Sequence, residues 1–343
     1  MIRRPPRSTQ GVSSAASDVY KRQILDDWFD TLKKLPCFEK LKGLDVTIFN
    51  DHEEDVNQLA KRLKPFDVLV LFRERTAITA ELLEKLPNLK LISQRSVYPH
   101  IDVEACNRKG VLLCSNMHSG TPSYAAAEHT WALIMSSMRQ IPQQMANMQM
   151  GGWQMGVGKT LRGRTLGLYG YGRIAKTVAK YADAFGMQVI WWGSKSGREN
   201  ARSDGHTIAA NRNAFFATSD IVSIHVRLKP TTQNLITAND LGCMQKDALF
   251  INTSRAGIIE KGAMLSALNE GRPGSAALDV FDQEPITWSN DPLANHPNII
   301  CTPHIGFVTE DEFELQFSDI FDQIVAYNLG NPINMINEVV WHA

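Results

Sequence analysis

The stretch "LGLYGYGRIA", Leu166–Ala175, decides how this chain is read. Glycines recur wherever a backbone bends, so the stretch alone does not separate a phosphate cradle from a flexible turn. Its neighbours do. A β-rich run, "RTLGLYG", leads into Gly170, Gly172 and Ala175; a helical pattern, "RIAKTVAKYADAFG", follows and feeds a second run, "MQVIWW". Strand, glycine turn and helix in this order form a dinucleotide-binding fingerprint. Gly170 permits the tight turn, Gly172 lets the backbone approach a pyrophosphate, and small Ala175 lets the helix pack closely on the sheet. Arg173 and Ile174 open that helix, whose free N–H groups and dipole favour phosphate charge.

Further along come "DIVSIHV", "ALFINT", "SAALDVF" and "NIICTP", each a buried-strand pattern separated by helical segments. Before it, "DVTIFN" (Asp45–Asn50), "DVLVLF" (Asp67–Phe72), "LKLISQ" (Leu89–Gln94) and "VLLCS" (Val111–Ser115) alternate with helices such as Glu54–Leu63 and Thr79–Lys85. Such alternation predicts parallel sheets covered on both faces. The fold class is α/β with two domains.

Between the two series, Thr121 is expected to cap a helix with Pro122 in its first turn, running until Pro142 kinks or ends it and bridging the domains. Its Met-rich tail (Met138, Met145, Met148, Met150) reads equally as a dimer face or as packing on the second domain. The final helix, Glu310–Leu329, has no strand to feed and is expected to return to the first domain.

Residues 1–23, "MIRRPPRSTQGVSSAASDVYKRQ", are basic, Ser-rich and without periodicity. They are expected to be disordered and resemble translated adapter sequence, with "ILDDW" beginning like the end of a strand. The first strand is therefore expected to be incomplete.

Composition bounds the function. Lys plus Arg and Asp plus Glu number 36 each, so the chain lacks the charge excess of nucleic-acid or membrane-surface binders, and a small-molecule partner is expected. Five scattered cysteines (Cys37, Cys106, Cys114, Cys243, Cys301) without a C-x-x-C pair argue for reduced core thiols and against a metal site. No apolar run approaches the roughly 18 residues of a membrane span. A cytoplasmic protein is expected.

At the end of the second strand of the fingerprint unit, a carboxylate usually holds the adenosine ribose; here Gly193 stands in "WWGSKSGRE". Ser194, Lys195 and Arg198 are candidates for a 2′-phosphate, or Lys195 and Arg198 are solvated loop charges. NAD and NADP both stay open.

Chemistry-bearing residues cluster at later strand ends: Arg255 in "NTSRAG", Asp279 and Glu284 in "LDVFDQEP", His304 in "TPHIG". Reducing a 2-keto acid requires a cation fork for its carboxylate, an acid for the developing alkoxide, and a group that keeps that acid protonated. Arg255, His304 and Glu284 supply one each.

From Ile24 to about Asn337 the chain resembles the D-isomer-specific 2-hydroxyacid dehydrogenases, the group of phosphoglycerate dehydrogenases and hydroxypyruvate/glyoxylate reductases. The resemblance rests on "AEHTWAL" (Ala127–Leu133), "GLYGYGRIA", "SDIVSIHVRLKPTTQNLI" (Ser219–Ile236), "NTSRAG", "LDVFDQEP", "TPHIG" and "GNPIN". It implies a Rossmann-type doubly wound sheet at residues 123–308, inserted into a flavodoxin-like substrate domain of residues 24–122 plus 309–343. It also implies D-stereochemistry; separately, a homodimer is expected. Arg255 would bind the substrate carboxylate and carbonyl; His304 would be acid in reduction and base in oxidation, protonated with the help of Glu284. Asp279 would sit near the nicotinamide amide, and His225 and Thr253 would line the cofactor.

Three departures and contrasts qualify the match. The substrate loop, roughly G-x-G-x-D-N in relatives, reads "RSVYPHID" (Arg95–Asp102), with Val97 where a glycine is usual, so the backbone cradle for a carboxylate is expected to be reshaped; Ser96 and Val97 are the candidate substrate residues. Arg75 matches a position used toward the substrate's far end, or pairs with Glu74. Formate dehydrogenases carry Gln in place of Glu284, and the residues after His304 are too few for the extra domains of the long phosphoglycerate dehydrogenases. A dinucleotide-sensing co-repressor on the same fold is the alternative function.

Overall fold

The computed structural model describes residues 20–117, 123–286 and 291–342. The chain divides into two compact units, residues 1–122 with 309–343, and residues 123–308.

The first unit holds five parallel strands. In chain order its elements are β1 (Arg22–Ile24), β2 (Val46–Ile48), α1 (Val56–Leu63), β3 (Val68–Val70), α2 (Ala80–Glu84), β4 (Leu91–Arg95), α3 (Val103–Lys109) and β5 (Leu112–Asn116). The sheet order is β2-β1-β3-β4-β5, the flavodoxin-like order. Helices start where side chains satisfy their free N–H groups: Asp55 caps α1, Thr79 caps α2 and Asp102 caps α3. Gly110, at φ +67°, ends α3 in the left-handed conformation that glycine takes without strain.

β1 corrects the expected leader. It begins at Arg22, pairs with both Val46 and Val68, and buries Arg22 and Gln23 almost completely. Backbone ladders do not depend on side-chain identity, so the residues preceding Ile24 fill the central place between β2 and β3. Residues 1–19 lie outside the described residues.

The second unit runs α4 (Ala125–Met138), α5 (Ile141–Gln149), β6 (Thr165–Tyr169), α6 (Arg173–Ala184), β7 (Gln188–Trp192), α7 (Lys195–Ser203), α8 (Arg212–Thr218), β8 (Ile221–Ile224), α9 (Ala238–Gly242), β9 (Leu249–Asn252), α10 (Ala263–Asn269), β10 (Ser275–Leu278) and β11 (Ile299–Cys301). Its strands are all parallel, ordered β11-β10-β9-β8-β6-β7. On β9, Leu249 and Ile251 join one buried cluster with Val178 of α6, while Phe250 joins another with Leu268 of α10. Alternate side chains thus enter cores on opposite faces, as a doubly wound sheet requires. Phe250 is fully buried; truncating it to alanine costs about 3–5 kcal/mol.

The connecting segment differs from the long helix expected there. Thr121 and Pro122 lie outside the described residues, and α4 packs within the second unit on α6, β9 and β10. Gln140, at φ +54°, breaks the segment ahead of Pro142, which sits in the first turn of α5, where its missing N–H is harmless. Met138 is buried, whereas Met145, Met148 and Met150 are exposed. The last helix, α11 (Glu310–Asn328), is capped by Thr309 and packs on β4 and the Pro36–Leu41 turn of the first unit.

Candidate active site

The order of the second sheet reverses beside β6, between β7 and β8, and carboxyl ends at such a reversal form a ligand crevice. Gly170 leaves β6 at φ +109°, and a Cβ there would lie 2.4 Å from the His225 carbonyl oxygen at the end of β8. No side chain fits. Gly172 precedes α6 in extended backbone; space is open around it and no side chain caps the helix. The first-turn N–H groups of Arg173, Ile174 and Ala175 thus have no side-chain cap, as a phosphate cradle requires, and Ala175 is fully buried against the sheet. The residues fit a dinucleotide. Arg173 itself is turned back, its guanidinium donating to the Ser123 carbonyl.

At the end of β7, Gly193 has φ +150° and a Cβ there would meet Gly170 N at 3.4 Å. A carboxylate-bearing residue at Gly193 would strain the backbone. Ser194 caps α7, its Oγ accepting the Gly197 N–H at 3.2 Å, and Lys195 is exposed. Arg198 is no free loop charge: its guanidinium lies 4.3 Å over the Trp192 ring and donates to the Gly193 carbonyl.

His225 Nε2 lies 2.9 Å from Ser223 Oγ, and burial pushes its pKa down to about 4, leaving the ring neutral at pH 7. Thr253 Oγ1 meets Thr130 Oγ1 of α4 at 2.8 Å. At the end of β9 the buried Asn252 braces the turn, donating to the Arg255 carbonyl at 3.0 Å and accepting the Ser254 N–H at 3.0 Å. Arg255 is half-buried, and one of its N–H groups donates to the Ser254 carbonyl at 2.7 Å.

Glu284 and His304 come together. His304 Nδ1 stands 2.6 Å from Glu284 Oε2, while Glu284 Oε1 accepts the Phe281 N–H at 2.9 Å. Their side chains are 31% and 30% exposed, so the pair is both fixed and reachable. With Nδ1 donating to the carboxylate, Nε2 is the position left for proton exchange.

Asp279, expected beside the nicotinamide amide, is 1% exposed and turned into its own chain. Its oxygens accept from Thr302 Oγ1 at 2.6 Å, Ile305 N at 2.9 Å and Gly306 N at 2.8 Å, and His129 Nε2 lies 3.2 Å away. Burial raises its pKa, but the donors outweigh burial and hold the carboxyl below the ordinary range. The sequence reading gave His129 no role, although it stands in the quoted "AEHTWAL".

In the first unit the order reverses at β1, between β2 and β3. Arg75 follows β3, donates to the Asp26 carbonyl at 2.6 Å, and lies 4.3 Å from the Trp28 ring and 4.4 Å from that of Phe72. Ser96 takes φ +79°, supplying the left-handed turn expected of glycine, and its carbonyl accepts from Gln94 and Ser115. Val97 is half-buried beside it.

No group of residues suited to a metal ion occurs among the described residues. The five cysteines are unpaired, and burial pushes the thiols of Cys37, Cys114 and Cys301 up to about 12 and that of Cys106 to about 11. Those four thiols are inert at neutral pH.

Residues 131–306 match the family model for the D-isomer specific 2-hydroxyacid dehydrogenase NAD binding domain. The chain belongs to the D-isomer-specific 2-hydroxyacid dehydrogenase family. It is 34% identical to a glyoxylate reductase of Aeropyrum pernix over 312 residues, 87% of this chain and 91% of that one. It is 35% identical to D-3-phosphoglycerate dehydrogenase of Methanocaldococcus jannaschii over 287 residues, 82% of this chain. The chain spans about half, 54%, of that relative's length. The crystal structure of a phosphoglycerate oxidoreductase from Vibrio cholerae superposes with a TM-score of 0.85 at 42% identity, covering 90% of this chain and 98% of that one. Membership accounts for the α/β architecture and for a nicotinamide-dinucleotide-binding domain. No helix among the described residues is long and apolar enough to cross a membrane.

Proposed function

We propose that this family member is an NAD(P)-dependent oxidoreductase that interconverts a small 2-keto acid and its D-2-hydroxy acid. The observation carrying this reading is the 2.6 Å contact between His304 Nδ1 and Glu284 Oε2. A bound nicotinamide would supply the hydride. His304 Nε2–H would give its proton to the substrate's carbonyl oxygen as negative charge grows there. Glu284 keeps the Nδ1 proton in place, so the ring is aimed and its imidazolium form is met by an anion. In oxidation the same nitrogen takes the hydroxyl proton. Arg255 clamps the substrate carboxylate and polarises the carbonyl.

Gly170, Gly172, Arg173 and Ile174 would cradle the pyrophosphate, with His225 and Thr253 beside the dinucleotide. The strand end of Gly193, Ser194 and Lys195, with Arg198 laid across Trp192, favours NADP: cations stand where NAD-specific sites place an anion. Arg75, Ser96 and Val97 are assigned to the substrate. The relatives named above are reductases and dehydrogenases, and no observation favours the co-repressor alternative.

We assign the protein to the cytoplasm as a homodimer. The exposed apolar run Met145, Met148, Met150, Trp153 and Val157 supports self-association, with Trp153 at 76% and Val157 at 90% exposure.

The test is turnover of NADPH and NADH against glyoxylate, hydroxypyruvate, pyruvate, phosphohydroxypyruvate and bulkier keto acids. Steady oxidation with at least one is expected; none with any of them, by folded and cofactor-binding protein, would refute the assignment.

A further inference from the structure

His304 sits at φ +53°, a left-handed conformation that is strained for a non-glycine residue. Something must hold it there. The residues on both sides are tied to one carboxylate: Thr302 Oγ1 and the Ile305 N–H reach Asp279 Oδ1 at 2.6 and 2.9 Å, and the Gly306 N–H reaches Oδ2 at 2.8 Å. Gly306 permits this closeness, since a Cβ there would lie 2.9 Å from Asp279 Oδ2.

Asp279 is 1% exposed, so its charge needs donors or a counter-charge. His129 supplies the remaining donor. Its Nε2 lies 3.0 Å from Thr302 Oγ1 and 3.2 Å from Asp279 Oδ1. The single hydroxyl hydrogen of Thr302 is spent on Asp279 at 2.6 Å, so toward His129 that oxygen only accepts. His129 Nε2 therefore carries hydrogen and serves both oxygens. A second imidazole and carboxylate thus stand behind the first, joined to it through two backbone amides.

We infer that His129 is a positioning residue for the acid–base pair, acting through Asp279 and Thr302 to hold the segment that carries His304. The inference rests on the acid–base reading of His304 given above. It assigns Asp279 to the same device.

The test compares His129→Leu, which removes the donor, with His129→Gln, which restores one, in the full chain. Three quantities are read: hydrogen exchange at the Ile305 and Gly306 amides, reduced-cofactor affinity by fluorescence titration, and kcat and KM with the keto acid turned over fastest. For His129→Leu, exchange at both amides should quicken and kcat should fall about tenfold, with KM and cofactor affinity within about twofold of the parent. His129→Gln should recover most of both losses. Unchanged exchange and kcat in His129→Leu would overturn the inference, and so would a loss of cofactor affinity matching the loss of kcat, which would make the pair a cofactor site. Should His129→Leu fail to fold, the near-isosteric Thr302→Val removes the neighbouring hydroxyl and is read the same way. Absence of turnover in the parent protein would strike the proposed function alone, because the exchange measurement still decides whether the segment is held through His129.

Discussion

Glu284 grips two partners at once: Oε2 meets His304 Nδ1 at 2.6 Å and Oε1 accepts the Phe281 N–H at 2.9 Å. The backbone bond fixes the carboxylate, and the carboxylate fixes the ring. Glu284→Gln keeps the shape but loses the charge and presents an amide whose N–H₂ competes for one of the two places. Turnover should drop by about 10²-fold with cofactor affinity unchanged, as read by steady-state kinetics beside a binding titration.

Arg255 is set by the Asn252 brace at the end of β9, and one N–H group is already committed to the Ser254 carbonyl. Lysine would keep the charge but not the fork. Arg255→Lys should raise KM for the keto acid about tenfold and lower kcat as well, since carboxylate and carbonyl are no longer gripped together. An unchanged kcat/KM would remove Arg255 from the clamp.

Cofactor choice is testable one residue beyond Gly193, whose φ of +150° makes substitution there a test of strain. Ser194 caps α7 through Oγ, a task that aspartate also performs. Ser194→Asp should therefore fold normally, weaken NADP binding by about tenfold through like-charge repulsion, and leave NAD binding intact. An unaltered NADP:NAD affinity ratio would mean that this loop does not read the ribose.

His225 makes stability depend on pH. Burial lowers its pKa from 6.5 to about 4, so between those values the unfolded chain takes up a proton that the folded chain refuses. The contribution is complete above pH 6.5 and is lost as pH falls toward 4, on the order of 3 kcal/mol in all. Denaturation of His225→Asn between pH 7 and 4.5 should show a correspondingly flatter decline than the parent; parallel curves would contradict the assignment.

The alternation of strands and helices carried the architecture because apolar runs of strand length must be covered on both faces. Gly170 was legible for the same reason: its backbone conformation and the nearness of His225 O admit no side chain. β1 was less so, since Arg22 and Gln23 have no apolar character yet pair with β2 and β3 through the backbone. The break at Gln140 was displaced toward Pro142 because proline is the visible signal, while the left-handed turn falls on an ordinary residue. His129 was missed because Thr302 stands 173 positions away, and no local pattern joins them. Arg198 stayed open between a phosphate ligand and a loop charge because its stacking on Trp192 depends on how β7 meets α7, not on spacing.

The most direct measurement follows loss of reduced-cofactor absorbance with the best keto acid, comparing the parent protein with His304→Ala after both are shown to bind cofactor equally. The account predicts steady turnover by the parent and a fall of roughly 10² to 10⁴-fold in the variant. Equal turnover by the two proteins near neutral pH would contradict it, because the proton would then be coming from somewhere other than His304.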